Sequence, residues 1–164
     1  KLFFDERGFF FENFKEKDFI SNGITKFIQD NFSHSIQGVI RGLHYQKNPK
    51  SQAKIVTVLS GEIFDVAVDI RKKSPTYGKF VTEILSENNH RSLYIPEGFA
   101  HGFSVLSKNA NIIYKISNDY SPNDEGGIIW NDPVLNIPWP IKNPIISEKD
   151  SKLPLLEKIE NNFN

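Results

Sequence analysis

The sequence of 164 residues has no cysteine and no methionine. Without thiols it can build neither a disulfide framework nor a thiolate metal site, and it suits a reducing, cytoplasmic setting. Without a methionine even at position 1, it is expected to lack its natural start. No apolar run approaches the ~18 residues of a membrane span and no stretch is laid out as a signal peptide, so a soluble chain with no membrane partner is expected. Neither charge is in excess, since 20 Lys and Arg balance 20 Asp and Glu. A balanced chain offers no electrostatic reason to expect nucleic acid or an anionic lipid surface as a partner. Internal repeats and low-complexity tracts are missing too.

What is abundant favours sheet. Aromatic residues make up 13% of the chain, 14 of them Phe, and β-branched residues are frequent; both suit strands better than helices. The length suits one domain with a sizeable core. Phe3-Phe4 and Phe9-Phe10-Phe11 read as short strands around the corner Asp5-Glu6-Arg7-Gly8, Asn13 to Gly23 as a short helix or loop, and Ile24 to Asn31 as a further strand. Lys54–Leu59 and Glu62–Ile70 look like a hairpin turning at Ser60-Gly61. In its second arm Phe64, Val66, Val68 and Ile70 share one face. Asp65, Ala67 and Asp69 share the other, which faces either solvent or a cavity. Strands follow over Lys79–Leu85, Arg91–Ile95, Ala100–Leu106 and Asn111–Ser117, and only Ser147–Lys158 in the Pro-rich tail reads as helical. Strands and turns recurring every ~8–12 residues without βαβ alternation predict an all-β, antiparallel jelly roll or barrel with a short C-terminal helical segment.

The polar cluster Arg41-Gly42-Leu43-His44-Tyr45-Gln46 interrupts apolar strand-formers on both sides. Such side chains on a strand face water or a cavity, and a cavity is expected here. Of the four histidines, His34 and His90 sit in polar, loop-like surroundings, whereas His44 and His101 lie on strand-like segments beside glycines. Pro96-x-Gly98-x-x-His101 resembles the second motif of metal-binding cupins. Gln46, however, stands where their first motif has a second histidine, and the carboxylate that follows in that motif is missing. Two imidazoles are a poor site for a catalytic metal, so no metal is expected. Proton transfer suits the set better. His44 is a candidate general base, and Asp65, Asp69 and Asp150 are candidates for the carboxylate that orients it. Lys54 is placed to neutralise a developing oxyanion, and Tyr114 and Tyr120 are candidate proton donors. Arg41 and His44 are separated by an odd step, so both point the same way only if the strand kinks or bulges at Gly42.

Seven segments occur together and in order: Asp5-x-Arg7-Gly8, Gln29-x-Asn31, Arg41 to Gln46, Asp65-Val66-Ala67-Val68-Asp69-x-Arg71, Ser74 to Gly78, Ile95-Pro96-x-Gly98-Phe99-Ala100-His101-Gly102-Phe103 and Ser147-x-Lys149-Asp150. From about Asp5 to Leu156 the chain thereby resembles the dTDP-4-dehydrorhamnose 3,5-epimerase family, nucleotide-sugar epimerases of cupin fold that use no metal. The resemblance implies a single cupin-like domain over residues 1–164 with its N-terminal strand cut short. It implies cofactor-free inversion of C3 and C5 in a dTDP-linked 4-keto-6-deoxy sugar through an enolate.

By the same resemblance His44 is the base, Asp150 its partner, Lys54 the enolate stabiliser and Tyr114 the acid. Arg7, Glu12, Gln29, Asn31, Arg41, Lys54, His101, Glu125 and Lys149 bind substrate, Tyr120 stacks on thymine, and Asp65 supports His101 from behind. A homodimer with exchanged N-terminal strands is implied, in which Arg7 and Glu12 serve the neighbouring site. Three alternatives stay open: an epimerase of C3 alone or of another nucleotide-linked sugar such as a GDP-heptose, a metal-dependent cupin enzyme, and a silent carbohydrate-binding jelly roll.

Overall fold

Strands that are apolar on both faces need cover on both sides, and this chain supplies it with two antiparallel sheets and a long tail. The computed structural model describes residues 1–164. A short hairpin pairs β1 (Phe3–Asp5) with β2 (Gly8–Phe10), and the helix α1 (Glu16–Ser21) follows it. One sheet has the order β3 (Gln29–Ile36), β10 (Asn109–Ile116), β5 (Lys54–Ser60), β8 (Ser92–Ile95). The other has the order β11 (Glu125–Gly127), β4 (Ile40–Gln46), β9 (Phe99–Val105), β6 (Glu62–Asp69), β7 (Phe80–Ser86). Every ladder is antiparallel, and the architecture is the expected cupin-type jelly roll. No helix is long and apolar enough to cross a membrane.

The core has two layers. Between the sheets, Val56, Val58 and Ile112 of the first meet Ile63, Ala67 and Phe103 of the second. Behind the second sheet, Leu43, Val66 and Val68 are covered by Ile128, Leu135, Leu156 and Phe163 of the tail. Each such burial contributes about 1.5–3 kcal/mol. Strand β6 lies between the layers, so Asp65 and Asp69 are both buried rather than solvated. Asp69 accepts from Arg71 Nε (2.9 Å), Ser74 Oγ (2.6 Å) and Thr76 Oγ1 (2.6 Å), which fixes the turn into β7. Asp132 anchors the tail by accepting from the backbone N–H groups of Val134, Leu135 and Leu156.

Several sequence expectations need correction. Strands β5 and β6 are consecutive but do not form a hairpin; β5 pairs with β10 and β8, and β6 with β9 and β7. The chain passes from one sheet to the other at Gly61, whose φ is +84°. A Cβ there would land on the Asn109 carbonyl oxygen, with Ala110 Cα only 3.0 Å away. Strand β3 begins at Gln29 rather than Ile24, because its partner β10 ends opposite it at Ile116. Phe27 instead packs edge-on against Phe14 and Phe19. His34 therefore sits on a strand, with Nδ1 2.8 Å from Asn111 Oδ1, and not in a loop. His90 is in a loop as expected, directly after the turn at residues 87–89, but Phe9 and Phe11 lie against its ring at 4.9 and 5.4 Å. The helical segment near the C-terminus divides into α2 (Glu148–Ser151) and a separate 3-10 turn at Leu156–Lys158, and Pro154, which has no N–H to donate, lies between them.

Candidate active site

The residues of interest converge on the space between the sheets because of strand register. On the β4–β9 wall His44 lies directly opposite His101, and the register slips between Arg41 and His44. The slip is the bulge at Gly42, which has φ +114°. A Cβ on Gly42 would meet Gly102 Cα and the His101 carbonyl oxygen at 2.6 Å each, so only glycine allows β4 and β9 to approach this closely here. The bulge turns Arg41 and His44 into the same chamber.

The opposite wall belongs to the other sheet. Tyr114 on β10 pairs with Asn31 of β3 and Val56 of β5, and Ile116 pairs with Gln29 and Lys54. Alternation along the strands puts Gln29, Asn31, Tyr114, Lys54 and Val56 on one inward face. The two walls enclose an outer cleft of about 310 Å³ and an inner chamber of about 80 Å³, and His44, Lys54 and Tyr114 border both.

Asp150 comes from α2, where the N-cap Ser147 accepts from the Asp150 N–H at 3.1 Å and orients the first turn. Its carboxylate lies 2.8 Å from His44 Nε2 and accepts from the Gly42 N–H at 3.1 Å. Burial pushes this carboxyl up, but the His44 ring, the Gly42 N–H and Ser147 outweigh burial and hold it below the usual carboxylate range. An ionised carboxylate only accepts, so Nε2 is the His44 nitrogen that donates in this contact. Of the three candidate partners, Asp150 is therefore the one on His44. Asp69 is tied to Arg71, and Asp65 lies at 3.0 and 2.9 Å from His101 Nε2.

Across the cleft, burial pushes the partly buried Lys54 ammonium down to about 8, against the weaker pull of Asp65 and Glu125. Burial also raises the Tyr114 phenol, while the Arg41 charge opposes it, so the phenol holds its proton at neutral pH. At the mouth, Tyr120 is 55% exposed and donates to Glu125 Oε2 at 2.8 Å. Lys149 Nζ bridges both Glu125 oxygens at 2.6 Å. Lys149 and Arg41 also border a second opening, of about 430 Å³, beside His44 and Asp150.

Two expected residues do not reach this cleft within one chain. The exposed Arg7 pairs with Asp5, and Glu12 lies 3.5 Å from Lys15. Gln46 is not a vacant ligand position either. Its amide donates to the Lys50 and Asp119 carbonyls and accepts from the Ser121 N–H, tying β4 to two loops. No group of three or more His, Asp or Glu side chains converges so as to hold a metal ion. Sequence reading missed Ser33, whose buried Oγ has no partner and borders the inner chamber. The signal was present, since Gln29, Asn31, Ser33 and Ser35 are alternate residues of one strand.

A family model described as dTDP-4-dehydrorhamnose 3,5-epimerase matches residues 1–158. A Shigella flexneri dTDP-4-dehydrorhamnose 3,5-epimerase is 55% identical over 152 residues, covering 92% of this chain and 84% of its own. The crystal structure of a Legionella pneumophila dTDP-6-deoxy-D-glucose-3,5-epimerase in complex with dTDP-4-keto-L-rhamnose superposes with a TM-score of 0.94 at 50% identity. That match covers 98% of this chain and 86% of the other. A Streptomyces bikiniensis 3'-monoepimerase in complex with dTDP-quinovose has a TM-score of 0.90 at 31% identity, covering 96% and 81%. With a family model along nearly its whole length and relatives this similar, the chain belongs to the dTDP-4-dehydrorhamnose 3,5-epimerase family and is an isomerase.

Proposed function

We propose that the protein converts dTDP-4-dehydro-6-deoxy-D-glucose to dTDP-4-dehydro-L-rhamnose by inverting C3 and C5, with no cofactor in the reaction. The observation that carries this reading is the division of labour between walls. His44, backed by Asp150 of α2, stands on one sheet, and Tyr114 with Lys54 on the other. Inversion needs a base on one face of the ring and an acid on the opposite face. The C4 ketone makes both neighbouring C–H bonds acidic, because loss of either proton gives an enolate. Nδ1 of His44 removes a proton, the charged Lys54 stabilises the enolate oxygen, and the Tyr114 phenol returns a proton from the far side. The base and acid each supply about 10²–10⁴-fold, and the oxyanion contact about 10²–10³-fold.

At the mouth, Tyr120 offers a face for the thymine ring, Gln29 and Asn31 offer amides, and Arg41 and Lys149 offer cations to the diphosphate. In D₂O, incubation with dTDP-4-keto-6-deoxyglucose is expected to place deuterium at both C3 and C5, read by NMR. Label at C3 alone would instead identify a mono-epimerase, which the similarity to a 3'-monoepimerase makes the specific rival. No label at all would sink the enzyme reading for this substrate. The lack of cysteine fits a reducing cytoplasm, where we place the reaction.

We further propose a homodimer in which the N-terminal hairpin reaches the neighbouring chain. Four phenylalanines of that hairpin are exposed at 52–76%, and Phe32, Ile36 and Leu59 are exposed on the β3–β10–β5 sheet, an apolar surface that a second copy would cover. Arg7, which does not reach its own cleft, would then serve the partner's. Light scattering is expected to give two chains per particle, and Arg7→Ala should weaken substrate binding without altering that mass. A monomeric particle with full activity would remove the proposal.

A further inference from the structure

The mouth of the cleft is built on a buried amide that the mechanism above leaves without a part. Gln46 is 4% exposed. Its Nε2 donates to the carbonyls of Lys50 (2.8 Å) and Asp119 (3.0 Å), and its Oε1 accepts from the Ser121 N–H at 2.6 Å. Asp119 and Ser121 stand on either side of Tyr120, so one side chain grips both peptide units that flank that tyrosine. We propose that Gln46 is a positioning residue for nucleotide recognition, acting on the base through Tyr120. This rests on the reading of Tyr120 as the face for the thymine ring.

Three features favour it. The first is that both ends of Tyr120 lead back to Gln46. At the backbone end the flanking peptide units bind its amide. At the other end the phenol donates to Glu125 Oε2 at 2.8 Å, and Glu125 is the cross-strand partner of Gln46. Between them Ser121 Oγ donates to Asp124 Oδ2 at 2.6 Å and closes the 3-10 turn Pro122–Asp124. Both amide hydrogens of Gln46 are engaged by backbone carbonyls, so it has no donor left for a ligand.

The second is energetic. Burying an amide costs free energy unless its donors and acceptor are paired. Here the pairing orders a segment that adds little to the core, since Asp119, Tyr120, Pro122 and Asn123 are all exposed. An exposed loop left untied is mobile, and a ligand that stacks on it must then bear the cost of ordering it. Fixing the loop beforehand removes that cost from binding. Stacking a base on an aromatic side chain is worth about 5–150-fold in affinity.

The third is placement. Gln46 follows His44 by two residues on β4. One strand therefore sets both the general base and the platform for the nucleotide, which fixes how far the sugar lies from the base.

Calorimetry of dTDP and steady-state kinetics test this, with urea unfolding as the check on folding. Gln46→Met keeps the size of the side chain and removes its hydrogen bonds. It is expected to weaken dTDP binding and raise KM by up to the worth of the stack, with kcat within about 2-fold of the wild type. A general loosening of β4 would instead displace His44 and lower kcat. Tyr120→Ala should itself weaken dTDP binding by about 5–150-fold, and in that background Gln46→Met should add less than about 2-fold. Gln46→Glu keeps the acceptor for the Ser121 N–H and, ionised, loses both donors. It should raise KM in the same way, and it decides the matter if Gln46→Met does not fold. An unchanged KM, a kcat that falls as far as KM rises, or an equal loss of binding with and without Tyr120 would overturn the proposal while leaving Tyr120 as the thymine face. Wild-type affinity in Tyr120→Ala would remove the reading beneath it, and the proposal with it.

Discussion

Replacing His44 with alanine is expected to lower formation of the doubly inverted sugar by about 10²–10⁴-fold, while dTDP still binds. The size follows from what is removed. Asp150 remains fixed by the Gly42 N–H and by the Ser147 cap, but no lone pair faces the substrate from that position on the wall. Nucleotide binding should survive because Tyr120, Glu125 and Lys149 form their own hydrogen-bonded cluster at the mouth and do not depend on the ring. NMR of the products with calorimetry of dTDP checks both halves. Unchanged turnover would take His44 out of the mechanism.

How much of this was legible beforehand depends on the range of the interaction. His44, His101, Lys54 and Tyr114 announced themselves as polar side chains on strand-like segments, a local pattern of period two. The demand for a bulge at Gly42 was legible as well, since an odd spacing cannot put Arg41 and His44 on one face of a regular strand. Asp150 was not singled out by any pattern. It is 106 residues from His44, and short-range reading could only offer it beside Asp65 and Asp69, which prove to have other partners. The resemblance to known epimerases made that choice. The false hairpin at Ser60-Gly61 has the same root. Turn chemistry says where a chain reverses, but not whether the next strand stays in its sheet, and β6, buried along both of its faces, lies in the other one. Strand β11 was hidden for a different reason. Gly126-Gly127 reads as loop, yet glycine is required there because a Cβ on Gly127 would lie 2.8 Å from the Leu43 carbonyl oxygen.

Lys54→Met is expected to split activity from stability. The lysine carries its charge only below about pH 8, since burial has pushed its ammonium down to about 8 from 10.5. Enolate stabilisation needs that charge, so kcat/KM of the wild type should fall as pH rises through about 8. The variant should lose about 10²–10³-fold in rate and with it this alkaline limb. Stability moves the other way. Because the folded pKa lies below the unfolded one, the cost of burying the charge is fully present below about pH 8 and is relieved as pH climbs towards 10.5. At 1.36 kcal/mol per tenfold change in proton affinity, that cost is on the order of 3 kcal/mol at neutral pH. Met keeps most of the apolar stem and none of the charge, so urea unfolding at pH 7 should find the unliganded variant more stable than the wild type by up to about that amount. A variant that is less stable, or one that keeps the alkaline limb, would mean that Lys54 is a structural cation and that another group stabilises the enolate. The expected pair of results, a slower and sturdier protein, would identify the lysine as a group held in the cleft at the expense of the fold because the chemistry needs it there.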